Sequence, residues 1–188
     1  MKRIFLIGFG LVCLLSCDKS KIANTIENKD YAKIRDNSSS DDNAPELTLS
    51  EYLITNGYDK NGDGNLQDRE LAQIESLVAV GKNITNLDVL AKMTNLKQAD
   101  FSGNKIAVAI ISAPLLTELN LSNNRLISLD ISKSPKLIDN INLTGNPKLT
   151  CVKTLPIQRT DIKNKAKNLK VDTDKQGKSK VDFNIICK

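Results

Sequence analysis

The chain has 188 residues, 40% hydrophobic and 26% charged, with a formal net charge of +5 and no histidine. This length allows one domain of ordinary size with short extensions. The lack of histidine removes the commonest general base and metal ligand together and excludes Ser-His and Cys-His nucleophile pairs. No carboxylate pair is marked by its spacing, so the chain reads as non-enzymatic.

The charge is uneven along the chain. Residues 1–17 contribute +2, residues 18–152 hold 15 basic and 18 acidic side chains, and residues 153–188 hold 10 basic and 4 acidic. A basic final segment suits either a solvated surface or an anionic partner. Phe183 is its only aromatic residue, so base stacking has little support and no nucleic-acid partner is expected.

Met1-Lys2-Arg3 is a short positive start, followed by an apolar run of 12 residues from Ile4 to Leu15. A bilayer span needs about 20, so the run fits a signal-peptide core. Leu14-Leu15-Ser16-Cys17 resembles a bacterial lipobox. That resemblance implies a signal peptide over 1–17, cleavage before Cys17, and acylation of its sulfur and new amine with palmitate-type chains. The expectation is a membrane-anchored lipoprotein of the bacterial envelope, at the outer membrane or cell surface. An ordinary secretory signal cut nearby is the alternative. Residues 18–46 are rich in Lys, Asp, Asn and Ser without an apolar period and read as a flexible linker.

Residues 47–73 carry the sharpest chemical motif. The run Asp59-Lys60-Asn61-Gly62-Asp63-Gly64-Asn65-Leu66-Gln67-Asp68-Arg69-Glu70 resembles a twelve-residue EF-hand loop position by position. The resemblance implies side-chain oxygens from Asp59, Asn61 and Asp63, a backbone carbonyl from Asn65, a water-mediated contact from Gln67 and bidentate chelation by Glu70. One structural Ca2+ ion is expected, bound at ~10⁻⁴–10⁻³ M because the loop has no second loop to pair with. Short helices are expected on both flanks, Ser50 to Ile54 and Asp68 to Ile74.

Residues 74–151 repeat. Ile74-x-x-Leu77-x-Ala79-x-x-Lys82-x-Ile84 aligns with Leu96-x-x-Ala99-x-Phe101-x-x-Asn104-x-Ile106. Leu116-x-x-Leu119-x-Leu121-x-x-Asn124-x-Leu126 and Ile138-x-x-Ile141-x-Leu143-x-x-Asn146 follow, with starts 22, 20 and 22 residues apart. Each L-x-x-L-x-L stretch suits a strand with one buried face, and only stacked neighbours can hide that face. The Asn at the turn can donate and accept at once, so a column of Asn104, Asn124 and Asn146 is expected to brace successive turns. Lys82 stands there in the first unit. The pattern resembles the 22-residue leucine-rich repeats of the internalin-like bacterial family. In the connecting halves, the three-residue beat Ile84, Leu87, Leu90, Met93, Leu96 resembles a 3₁₀ return, and Leu126–Leu137 the variant with a second short strand.

Residues 152–188 read as a C-terminal cap over the open end of the stack. Once Cys13 leaves with the signal and Cys17 carries lipid, Cys151 and Cys187 remain, and outside the cytoplasm an even pair points to a disulfide. Two buried free thiols are the alternative. Ile162, Ala166 and Leu169 read as one helical face, and Val181 to Ile185 as a strand. The whole is therefore expected to be an α/β solenoid: a short leucine-rich-repeat stack of about four parallel strands, an EF-hand-like helical cap before it and a disulfide-linked cap behind it.

The strand face is expected to display Lys97, Gln98, Asp100 and Ser102, beside them Thr117, Glu118, Asn120 and Ser122, and then Asp139, Asn140, Asn142 and Thr144. It has neither the aromatic belt that sugar stacking favours nor the dense basic stripe that nucleic acid requires. Four strands at ~4.8 Å spacing make it only ~15–20 Å wide, a fit for a peptide, a loop or a small patch of protein. A spacer without a dedicated ligand, and glycan or polyanion attachment through the Lys-rich cap, are the alternatives.

Overall fold

The computed structural model describes residues 45–187. The expected signal peptide, Cys17 and linker residues 18–44 lie outside the described residues, which fall in one compact unit, Asp42–Lys188.

The described residues open with β1 (Leu47–Thr48), α1 (Leu49–Thr55), α2 (Asp68–Leu71), β2 (Ser76–Val78) and β3 (Ile84–Asn86), followed by a 3₁₀ turn at Leu90–Lys92. Next come β4 (Gln98–Asp100), β5 (Val108–Ile110), β6 (Glu118–Asn120), β7 (Ser128–Asp130), β8 (Asn140–Asn142) and β9 (Cys151–Lys153). The chain closes with α3 (Pro156–Lys165) and β10 (Asp182–Asn184). One sheet runs β2-β4-β6-β8 and a second β5-β7-β9-β10, every pair parallel. From β4 to β9 successive strands alternate between the two sheets, while β3 pairs with β1 in a sheet of two, so the chain winds as a parallel-strand β-solenoid of about four turns. Helix is sparse: α1 spans seven residues and α2 four, so the expected second flanking helix to Ile74 stops at Leu71. Among the described residues no helix is long and apolar enough to cross a membrane.

Register puts one inward residue per strand into a column. Leu77, Ala99, Leu119 and Ile141 align in the first sheet, and Ala109, Leu129, Val152 and Phe183 in the second. All eight are buried. The second coil is thin, with Ala99, Ala109 and Ala113 inside, and Phe101, fully buried, fills the volume they leave. Each coil bends through a left-handed residue after its first strand: Gly81, Gly103, Asn123 and Gly145, with φ of 64°, 68°, 54° and 74°. Only Gly, or Asn with its short polar side chain, adopts that conformation readily.

The residue after each bend carries the ladder expected from sequence. Asn104 donates its amide to the carbonyls of Ala79 in the previous coil and Phe101 in its own, at 2.7 and 2.8 Å. Its Oδ1 accepts the N–H groups of Lys82 and Ile84. Asn124 and Asn146 repeat the pattern one coil further on. The first turn therefore needs no amide of its own at Lys82, because Asn104 braces it from the next coil.

A second ladder at the opposite corner was not foreseen. Ser134 accepts the N–H of Ala113 and donates to the carbonyl of Ile111. Gln158, 1% exposed on α3, donates to the carbonyls of Ile131, Ser134 and Leu137.

Both ends are closed. At the start, Thr48 accepts the Glu51 N–H and Glu51 returns a bond to the Thr48 N–H at 2.7 Å, a reciprocal cap on α1. Beside it β1 pairs with β3, and Ser50 bonds Asp88 through its N–H and hydroxyl. At the far end β10 pairs with β9, and Cys151 is disulfide-bonded to Cys187. Lys170 continues the first sheet beyond β8 by bonding Ile141 and Leu143. Asp172 accepts the N–H groups of Gly145 and Asn146, as an Asn of a further coil would. Helix α3 begins at Pro156 and ends at Lys165, so Ile162 is buried within it, while Ala166 and Leu169 pack half-buried just beyond it.

Candidate functional site

Side chains on the outer face of the first sheet stand in two columns: Ser76, Gln98, Glu118 and Asn140, and Val78, Asp100, Asn120 and Asn142. They floor a shallow depression of about 460 Å³, to which the cap adds Asn168 and Lys170 at one end. Asp100 accepts from Ser102 at 2.7 Å and from the Asn120 amide at 3.0 Å. Asn120 holds Ser122 and Asn142 holds Thr144 in the same way. The floor is thus locked by bonds along and between strands. It presents amide and carboxylate groups in fixed positions, with the Val78 side chain exposed at one edge.

Six of the expected face residues, Gln98, Asp100, Glu118, Asn120, Asn140 and Asn142, line this depression. The others lie elsewhere. Lys97 pairs with Glu75 at 2.8 Å, and the Thr117 hydroxyl donates to the Lys97 carbonyl. Asp139 is turned to the cap, where its carboxylate takes the N–H groups of Lys167 and Asn168 at 2.6 and 2.7 Å. Those N–H groups, Asn168 first, hold the Asp139 carboxyl below the usual carboxylate range. Beyond the expected residues, Ser76, Asn168 and Lys170 belong to the lining as well. The last two come from the cap, where no repeat spacing could announce them.

The acidic loop at 59–70 is closed by its own donors. Asp59 accepts the N–H groups of Gly62 and Gly64, both at 2.8 Å. Glu70 is 5% exposed and accepts the N–H groups of Lys60 and Gln67 at 2.8 and 2.9 Å, pinning both ends of the loop. Asp63 accepts the Asn65 N–H and the side-chain amides of Asn61 and Gln67, and the backbone N–H of Asn65 leads in holding its carboxyl below the ordinary range. The Gln67 amide nitrogen reaches both Asp63 Oδ2 and the Asn65 carbonyl, at 2.8 and 2.9 Å. Two of the expected ligand oxygens, Asp63 Oδ2 and the Asn65 carbonyl, therefore share one neutral amide donor. Glu70, by contrast, faces backbone. Among the described residues no group of three or more His, Cys, Asp and Glu side chains is gathered as an ion site.

On the outer face of the second sheet Val108 and Ile110 are exposed, beside Ile127. The Asp130 carboxylate there meets the Lys153 ammonium at 2.8 Å. Burial opposes ionisation of Asp130, but the Lys153 ammonium and the Ser132 hydroxyl and N–H outweigh it, and the carboxyl is held below its ordinary range.

No family model matches the chain, and neither a curated protein nor a solved structure is significantly similar to it.

Proposed function

We propose that this chain is a leucine-rich-repeat lipoprotein of the bacterial envelope, anchored through Cys17, whose first-sheet face binds a protein or peptide ligand. The observation that carries this reading is the depression over β2, β4, β6 and β8: a floor of preset amide and carboxylate groups, narrow enough for an extended peptide or a loop. The 20- and 22-residue spacing and the braced turns support the leucine-rich-repeat assignment. The chain acts by binding and not by catalysis. The decisive experiment is affinity capture from envelope extracts by the full chain and by its Glu118→Arg and Asn120→Arg variants. A ligand retained by the parent chain and lost on either variant supports the reading; equal capture by all three, or none by any, contradicts it.

Calcium is the second element of the proposal. Asp59, Asn61, Asp63, Asn65 and Glu70 would hold one ion, which would replace the amide donors now bonded to the loop's carboxylates and stiffen the entry to the stack. At ten times Kd such an ion adds about 1.4 kcal/mol. Calcium should raise the melting temperature of the parent chain but not of Glu70→Gln; a flat calorimetric titration removes the ion. For the anchor, Cys17→Ala should shift the protein from the membrane to the soluble fraction, and unchanged partitioning refutes it.

A further inference from the structure

The two ends of the solenoid carry opposite charge. Residues 45–75, which form the end before the first coil, hold seven carboxylates against two cations, a net of −5. Residues 153–187, which close the other end, hold nine cations against four carboxylates, a net of +5. The strand order places these segments at opposite ends of the stack, since β1 pairs on the first coil while β10 and Lys170 pair on the last. About four rungs at ~4.8 Å lie between the two poles.

The side chains that set the two signs reach solvent. Glu46, Glu51, Asp63, Asp68 and Glu75 are exposed at the acidic end, and Lys163, Lys167, Lys175, Lys178 and Lys180 at the basic end. Of the acids, Glu46, Asp68 and Glu75 also meet Lys105, Lys92 and Lys97. Within the basic end, Asp172 and Asp174 cap backbone N–H groups, Asp161 pairs with Lys165 and Asp182 is exposed.

We propose that the chain associates head to tail with copies of itself, the acidic first-coil end of one molecule docking on the basic C-terminal cap of the next. The two surfaces differ, so the contact is heterologous and leaves a free acidic end and a free basic end on every assembly. Growth continues past the dimer unless a ring closes. Opposite poles steer the encounter, and salt weakens it because exposed charges are screened. The occupant of each pole is thus the other pole, without appeal to an outside partner.

Sedimentation velocity on the full chain, with chelator present to fix the charge of the loop, tests this. At an ionic strength of about 0.01 M, where the Debye length is ~30 Å, the average mass should rise with protein concentration beyond that of a dimer. At about 1 M, where it is ~3 Å, the mass should fall to the monomer. Two charge-reversed proteins refine the test: Glu46→Lys with Glu75→Lys at one end, and Lys163→Glu with Lys167→Glu and Lys178→Glu at the other. Each alone should remain monomeric at low salt, and an equal mixture should form a one-to-one dimer, through the intact basic cap of the first and the intact acidic end of the second, and grow no further. A parent chain that stays monomeric at low salt, stops at a dimer, or associates equally at both ionic strengths overturns the proposal without reference to the variants.

Discussion

Asn124 is 6% exposed and serves two coils at once, accepting from Ile106 and donating to Phe101 and Leu121. Replacing it by Ala orphans the Ile106 N–H in the interior, while the Phe101 and Leu121 carbonyls keep Asn104 and Asn146 as donors. At about 1–3 kcal/mol for a buried unsatisfied group, Asn124→Ala should lose about that much in urea denaturation. A change below ~1 kcal/mol would remove the ladder from the account. Gly145 sits at φ 74° with the Asn123 side chain against it, so a Cβ there collides as well as straining the backbone. Gly145→Ala should therefore destabilise more than an Ala placed at exposed Gly177, which has open space around it. Carboxylates set the acid response. Asp63, Asp130 and Asp139 all have folded-state pKa values below the ordinary range. Their contribution is complete above the unfolded value near ~4 and is lost as pH falls through the lower folded values. The melting temperature should thus decline below about pH 4, and Asp139→Asn should flatten that decline.

At the scale of elements, the disulfide and the filled second coil carry separable loads. Cys151 and Cys187 are 36 residues apart, and opening that loop should remove roughly 4 kcal/mol in the chain-entropy model. Cys187→Ser, measured by urea denaturation, checks this, and an unchanged midpoint would mean that β10 and Asp172 hold the cap unaided. Phe101→Ala opens a void beside Ala99 and Ala109 and should lose about 3–5 kcal/mol. Repetition made much of this readable. A column of inward residues and a column of Asn recur at fixed spacing, so one good unit predicts the others, and the 3₁₀ turn at Leu90–Lys92 and strand β7 follow from the differing beats of their segments. The Gly or Asn immediately before each turn residue was an available signal for the left-handed bends. What did not repeat was not legible. Ser134 and Gln158 form their ladder once, from a loop and a helix with no shared spacing. Lys170 reaches the candidate face because the cap pairs with β8, a tertiary event that no local pattern encodes. Helix α2 stops at Leu71 although its pattern runs on to Ile74, because the chain must turn into β2 at Ser76.

For the whole molecule, the solenoid separates tasks by side. Its interior is closed by two ladders and two caps, its ends are oppositely charged, and its first sheet presents a polar depression with fixed donors and acceptors. The second sheet offers a different surface, with Val108 and Ile110 exposed and Asp130 paired to Lys153. If recognition belongs to the first face, a photo-crosslinking side chain placed there must find the ligand and the same side chain on the second face must not. Both side chains stand on the outer side of their strands, away from the buried column: Asn120 half-buried on β6 and Ser128 exposed on β7. Crosslinking of the full chain on intact cells from position 120 should yield one discrete adduct that position 128 does not give. The same adduct from both positions, or none from position 120, would contradict the assignment of binding to the first-sheet face.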